Sequence, residues 1–232
     1  MVRTLVDFSS SFLLITFTQA CWSLLHLAVN PIWKENLTKE FKALVQKHTD
    51  GSSSERLHKR LAMIPLSAWE GELPYTDLVL RETIRLSLNL GIPRRNTQRS
   101  ITIDGVTIEK GDFVMYSAAQ VHLNPDIYPN PTTFDPERYI LGREEDKKEG
   151  LAYLGWGAGE YLGISYNHVC YLHLSRNPGR HPCAGMKVAK LQLKLVLGLM
   201  VLGYDFSVVD KMGKSISVLP QPDLNDTEHV SC

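Results

Sequence analysis

Arg180-His181-Pro182-Cys183-Ala184-Gly185 sets one cysteine at the mouth of the helix-like run Met186 to Leu202. Pro182 fixes the backbone ahead of the sulfur, and Gly185 permits close packing just after it. A sulfur at a helix N-terminus feels free N–H groups and the positive end of the dipole, and both favour thiolate over thiol. A haem iron takes such a thiolate as an axial ligand, and the Arg180 and His181 side chains suit the negative propionates. The plainer alternative for a single cysteine is an ordinary buried residue.

The surrounding residues weigh against that alternative. Trp156-Gly157-Ala158-Gly159 stands upstream, and residues 160 to 179 separate it from Arg180. With those residues removed the text reads W-G-A-G-R-H-P-C-A-G. That resembles the aromatic-G-x-G-x-R/H-x-C-x-G ligand loop of the cytochrome P-450 (haem-thiolate) family, with Trp in place of the more usual Phe and His in place of the usual Arg. Two further motifs carry the resemblance. Glu82-Thr83-Ile84-Arg85 matches the family's E-x-x-R, and Glu and Arg three apart share a helix face. Tyr128-Pro129-Asn130-Pro131, Phe134-Asp135 and Pro136-Glu137-Arg138-Tyr139 match its Y-x-x-P-x-x-F-x-P-E-R. A buried Glu–Arg pair has to be hydrogen-bonded as well as paired. The resemblance implies that Glu82, Arg85 and Arg138 meet and support the haem loop without doing chemistry.

The fold class implied is mainly α with a small antiparallel β-sheet, the C-terminal portion of the cytochrome P-450 fold, with the N-terminal half missing. Residues 8 to 29 read as an apolar helix. Asn30-Pro31 ends it and opens a second helix to about His48. Ser11 to Val29 is uncharged and long enough to imitate a membrane span, yet its Ser, Thr, Gln and His26 favour a buried helix. Thr76 to Leu90 is the strongest helix, and Leu66 to Leu73 a short connector. Ser100–Ile103 and Val106–Ile108 alternate about Asp104-Gly105, a hairpin signal. Phe113 to Ala118 reads as another strand, as do Tyr204–Val209 and Ser215–Val218.

The chain's formal charge is zero, which points away from nucleic acid. Cys21, Cys170, Cys183 and Cys232 are too scattered for a disulfide framework. His168, Cys170, His173, His181 and Cys183 cluster, but in a spacing that fits no common structural zinc pattern.

Trp22-Ser23-Leu24-Leu25-His26-Leu27-Ala28-Val29-Asn30-Pro31 resembles the end of the family's long central helix. Counting back from it puts Thr16 at the oxygen-activation threonine, while Ser11-Phe12 stand where the family has Ala-Gly; a helix threonine bonded to its own backbone is the plainer alternative. The resemblance further implies haem b, with Cys183 as axial iron ligand and Arg180, His181, Arg95, Trp156, Gly157, Gly159 and Gly185 around the cofactor. Arg94 is the alternative to Arg95, and an exposed basic cluster the alternative to both. His122 lies in Ala119-x-x-His122-x-Asn124-Pro125, whose spacing departs from the family's A-x-H-x-x-P, so it is given no role. Lys187, Lys190 and Lys194 share a helix face. That is ordinarily a solvated face, and in the family it docks an NADPH-dependent reductase. The expected activity is insertion of one oxygen atom from O2 into a small apolar substrate. The expected location is the cytosolic face of the endoplasmic reticulum membrane, in a protein of fungal type. The competing expectation is a non-catalytic fragment or gene-model product that binds no haem.

Residues 160 to 179 are expected to be a translated intron inside the ligand loop. They show no helical or strand period, and ordering such a stretch costs roughly 1–2 kcal/mol per residue in backbone entropy. Gly159-Glu160 can be encoded G-GTGAG, which holds a splice donor, and Pro178-Gly179 as CCAG-G, which holds an acceptor. Splicing there keeps the frame and restores the family spacing. The alternative is a genuine surface insertion that loops away while its two ends still meet.

Overall fold

The computed structural model describes residues 2–49, 55–88, 91–149, 152–156 and 185–219. Four helices carry the main core. Helix α1 (Val2–Val29) ends where Asn30 turns its amide back to the His26 carbonyl at 2.8 Å, and Pro31 then opens α2 (Pro31–His48). Leu37, Phe41, Leu44 and Val45 recur at helical spacing and form the buried stripe of α2. Helix α5 (Pro74–Ser87) starts on Pro74. Its free amides at Tyr75 and Thr76 donate to Glu40 of α2, at 2.7 and 2.9 Å, so a neighbouring helix supplies the cap that its own sequence lacks. Helix α7 (Met186–Gly203) packs against α1 and α2. Phe41 lies on Gly198 of α7, where an added Cβ would come within 3.0 Å of the ring. Leu27, Phe41, Leu73, Val79, Leu193 and Leu197 join these helices in one cluster.

The connector expected at residues 66–73 is largely helical. Two short helices, α3 (Leu57–Met63) and α4 (Leu66–Gly71), bridge α2 to α5, and Trp69 and Ala68 of α4 reach the core. Helix α5 begins two residues earlier than expected and stops at Ser87.

The β-section is two antiparallel pairs. Strands β2 (Ile101–Ile103) and β3 (Val106–Ile108) form the expected hairpin, with Asp104 at φ 48° and Gly105 at φ 79°, the left-handed pair that a D-G turn supplies. Strand β4 (Phe113–Ser117) pairs with a strand the sequence did not announce, β1 (Gly91–Arg95), with Pro93 opposite Met115. A proline inside a strand argues against pairing because it removes a donor. A single two-stranded ladder leaves β1 one unpaired side, where a missing donor costs no ladder bond. After β4, Ser117 caps the short helix α6 (Ala118–His122) by accepting from the Gln120 amide. The two terminal strands expected at 204–209 and 215–218 reduce to one bridge, Val209 with Ser215.

Among the described residues no helix is long and apolar enough to cross a membrane. The uncharged stretch in α1 instead buries Gln19, Ala20, Ser23, His26 and Leu27 against the bundle.

Phe41→Ala is expected to lower stability by about 3–5 kcal/mol, because a fully buried ring leaves a cavity between α2 and α7. Ile32→Ala, on the exposed side of α2, is expected to change it by less than about 0.5 kcal/mol. Urea unfolding of both variants checks the contrast.

Candidate functional site

The three charged residues singled out in the sequence converge. Glu82, Arg85 and Arg138 are 0%, 1% and 1% exposed. Spacing along α5 sets Glu82 and Arg85 on one face, and Arg85 grips the carboxylate as a fork, with Nε to Oε2 and Nη2 to Oε1 both at 2.8 Å. Arg138 stands in a single turn of 3-10 helix (Pro136–Tyr139), started by Pro136 and capped by Asp135, whose carboxylate accepts from the Glu137 amide. From there Arg138 Nε reaches Glu82 Oε1 at 3.2 Å. The Tyr139 hydroxyl donates to Oε2 at 2.8 Å, and the Asp135 amide to Oε1 at 3.0 Å. Glu82 therefore accepts from five donors.

All but one of the remaining guanidinium hydrogens go to backbone carbonyls. Arg85 Nη1 donates to the His122 and Pro131 carbonyls, both at 2.6 Å. Arg138 donates to those of Pro129 at 2.6 Å and Asn130 at 2.9 Å, and to Glu145 Oε2 at 2.8 Å. Prolines 129 and 131 offer carbonyls without amides of their own to satisfy. Glu145 was not visible from sequence, since it lies in a charged run that reads as a surface loop. Burial works against its ionisation, but bonds from Arg138 and Arg143 outweigh that and hold its carboxyl below the usual range. Two carboxylates against two guanidiniums leave the buried core of the cluster electrically balanced.

The cluster is tied to residues 152–156, which lead into the cysteine motif. The Tyr128 hydroxyl, under the Arg85 guanidinium, donates to the Ala152 carbonyl at 2.9 Å. The Tyr153 hydroxyl donates to the Arg81 carbonyl at 3.2 Å, and its ring and that of Tyr139 each lie 4.7 Å from the Arg81 guanidinium carbon. The Leu154 amide donates to His122 Nε2 at 2.8 Å. Gly155 has no room for a side chain, since a Cβ would come within 2.3 Å of the Tyr153 hydroxyl and 2.7 Å of Ile84. Trp156 is half-buried against the main core, with Lys190 of α7 at 5.7 Å from its ring centre. His122, given no role from sequence, is thus fully buried and central. Its spacing departs from the family pattern, and that concealed it.

The other expected site residues divide. Gly185 is the residue before α7, with φ −87° and ψ −3°. Thr16 is half-buried on α1, one turn before Gln19, whose side chain accepts from Ser87 at the end of α5. Arg95 is exposed at the end of β1, with Nε 3.2 Å from the Gly111 carbonyl and its guanidinium over Phe113. Gly157, Gly159, Arg180, His181 and Cys183 lie outside the described residues, as do residues 160–179 and the clustered His168, Cys170 and His173. Among the described residues no group of three His, Cys, Asp or Glu side chains could hold a metal ion.

The expected lysine face needs correction. Lys187 is exposed, but Lys194 is 2% exposed, with Nζ bonded to the Trp69 carbonyl at 2.9 Å and paired with Asp77 of α5 at 2.9 Å. Helix α7 is apolar nearly all round, so helical spacing alone did not say which side faces water.

A cavity of about 380 Å³ opens beside the end of α1, between Trp22, His26, Leu86, Thr133, Phe134 and Val218. His26 stacks on Phe134 with ring centres 4.4 Å apart. Burial, with the Arg85 charge nearby, lowers the His26 pKa to about 4, and the same two causes lower that of His122 to about 3.

Comparison with known proteins agrees with the geometry. The family model described as Cytochrome P-450 matches residues 16–161. Cytochrome P-450 monooxygenase AacuE of Aspergillus aculeatus is 34% identical over 191 residues, covering 81% of this chain and 34% of that relative. Cytochrome P-450 monooxygenase nsrP of Aspergillus novofumigatus is 36% identical over 185 residues, covering 78% of this chain and 32% of that relative. The chain thus spans about a third of the length of these relatives. The solved structure of retinoic acid bound cyanobacterial CYP120A1 aligns with a TM-score of 0.57 and 24% identity, over 84% of this chain and 37% of that one.

Two outcomes follow from the buried charges. Glu82→Gln strips the negative charge from between two guanidiniums and is expected to cost about 3–5 kcal/mol in urea unfolding. Arg138→Lys is expected to be comparably damaging, since one ammonium cannot make the fork's contacts. The second outcome concerns acid. A histidine whose folded pKa is depressed stabilises the fold fully above its unfolded pKa, near 6.5, and that contribution is lost as pH falls toward the folded value. His26→Phe keeps a ring against Phe134. It is expected to reduce the stability lost between pH 7 and pH 5 by about 2 kcal/mol, read from urea midpoints at the two pH values.

Proposed function

Because the chain belongs to the cytochrome P-450 family, we propose that it is the C-terminal portion of a haem-thiolate monooxygenase that inserts one oxygen atom from O2 into a small apolar substrate. The observation that carries this reading is the buried Glu82–Arg85–Arg138 cluster and its hydrogen-bonded link through residues 152–154 to Trp156. It is a rigid support placed directly ahead of the cysteine motif.

The donor chemistry fits haem b. Cys183 would ligate the iron as a thiolate, and the Arg180, His181 and Arg95 side chains would meet the propionates. Trp156, Gly157, Gly159 and Gly185 would form the loop around it. When bound, haem would supply the activation of dioxygen. The Thr16 hydroxyl on α1 is assigned to the oxygen side. An NADPH-dependent reductase supplies electrons, docking by Lys187 and Lys190, with Lys194 committed inside the fold. The working location implied by the family resemblance is the cytosolic face of the endoplasmic reticulum membrane.

A second reading has its own support. The chain spans about a third of its relatives, and the family match stops at residue 161, next to where the ligand-loop motif breaks. On that reading residues 160–179 are a retained intron, and this polypeptide is a non-catalytic product that binds no haem.

One experiment separates the two. The reduced carbon-monoxide complex of the full chain reconstituted with haem is expected to show thiolate-type absorption that Cys183→Ala abolishes and Cys170→Ala leaves intact. No such absorption in the chain as written, together with its appearance once residues 160–179 are excised, would assign the defect to the insert. Mature transcripts that uniformly retain those codons, with a haem-loaded protein containing them, would overturn the intron reading.

A further inference from the structure

His122 is 0% exposed and makes two contacts that point in different directions. Its carbonyl accepts from Arg85 Nη1 at 2.6 Å, which fixes the end of α6 to the arginine cluster. Its ring Nε2 lies 2.8 Å from the Leu154 amide nitrogen. An amide N–H only donates, so Nε2 has to carry a lone pair and the proton sits on Nδ1. The ring lies against that of Tyr153, with centres 5.3 Å apart. Leu154 is two residues before Trp156, where the interrupted motif begins. Trp156 in turn meets Lys190 of α7, the helix that follows the cysteine.

We infer that His122 is a positioning residue for the cysteine-bearing loop: its neutral imidazole, anchored to the arginine cluster through its own carbonyl, holds the Leu154 amide and so fixes where the chain turns into that loop. This rests on the haem-thiolate reading for the purpose of the loop, but not for the bond itself. Protonation would put a second N–H against the Leu154 N–H. Burial and the Arg85 charge oppose that protonation. A residue that merely filled space here would be replaceable by any ring of similar size. A residue that positions the amide needs an acceptor at the Nε2 place, which glutamine offers and phenylalanine does not.

The test uses the full chain and two variants, His122→Gln and His122→Phe. Amide exchange at Leu154 is expected to be slow in the parent and in the glutamine variant, and at least tenfold faster in the phenylalanine variant. The Asp135 amide, bonded to Glu82 in the same cluster, is expected to keep its rate in all three. Nitrogen resonances of the parent's imidazole, which require no variant to fold, are expected to report the neutral Nδ1–H form from pH 8 to pH 5. With added haemin, the thiolate-type absorption of the reduced carbon-monoxide complex is expected to survive in His122→Gln and to fall several-fold in His122→Phe. An Nε2–H tautomer, equal Leu154 exchange in all three proteins, or equal acceleration at Asp135 would each overturn the inference. So would a thiolate band in His122→Phe equal to that of the parent. A parent chain that shows no thiolate band sinks the haem reading alone, and the exchange comparison then decides the role of His122.

Discussion

One carboxylate without access to water governs this fold. Removing Glu82 from solvent costs several kcal/mol unless every lone pair is used, and here all the donors are protein groups. The five donors come from α5 and from residues 135 to 139, more than fifty positions further on, so satisfying one side chain joins two distant stretches. The two arginines pass the constraint outward. Their spare hydrogens cannot remain unpaired in a dry interior, and they draw in the carbonyls of His122, Pro129, Asn130, Pro131 and Thr133. An irregular stretch that no periodic hydrogen bonding could define is thereby fixed residue by residue. Apolar replacements of similar volume are often as stable as a buried ion pair, but they do not specify where those carbonyls point.

The parts of this arrangement that obey a short-range rule were legible in the sequence. Helical periods placed α1, α2, α5 and α7, the N-P step marked the α1–α2 corner, and D-G marked the hairpin. The E-x-x-R spacing put two partners on one face, and the third, Arg138, was placed with them by the family resemblance rather than by any local rule. What stayed hidden depends on partners far away in the chain. Strand β1 reads poorly because Gly91-Ile92-Pro93-Arg94-Arg95 has neither alternation nor donors throughout, and only pairing with β4 makes it a strand. Lys194 looks like its exposed neighbours until Asp77 and the Trp69 carbonyl are brought to it. Glu40 is an unremarkable charge on α2 until it caps α5. His122 belongs to the same class, since its function lies in an amide thirty-two residues downstream.

Of the expected site, the supporting charges have a described place and the cysteine motif does not. Glu82, Arg85 and Arg138 meet as the motifs required. Trp156 and Gly185 stand at the two ends of the cysteine-bearing segment, and the Lys190 ammonium, more than a turn into α7, lies 5.7 Å from the Trp156 ring centre. The cysteine motif itself falls in residues 157–184, outside the described structure.

The contacts that hold the two flanks of this segment bear on how a long insert is compatible with the core. Residues 152–156 are held by Tyr128, Arg81, His122 and the core, and α7 is held by Phe41, Trp69 and Asp77. The entropy of closing a loop grows only with the logarithm of its length, about 0.6 kcal/mol for each doubling. By that measure extra residues between Gly159 and Arg180 add little to the cost of closure. The demand for one length comes from chemistry: a single sulfur, on the haem-thiolate reading, has to stand at a fixed distance from an iron. Folding and ligation are thus sensitive to different features of the same stretch. On that reading, a chain that keeps every contact described above still depends on the length of this one segment for its ligand.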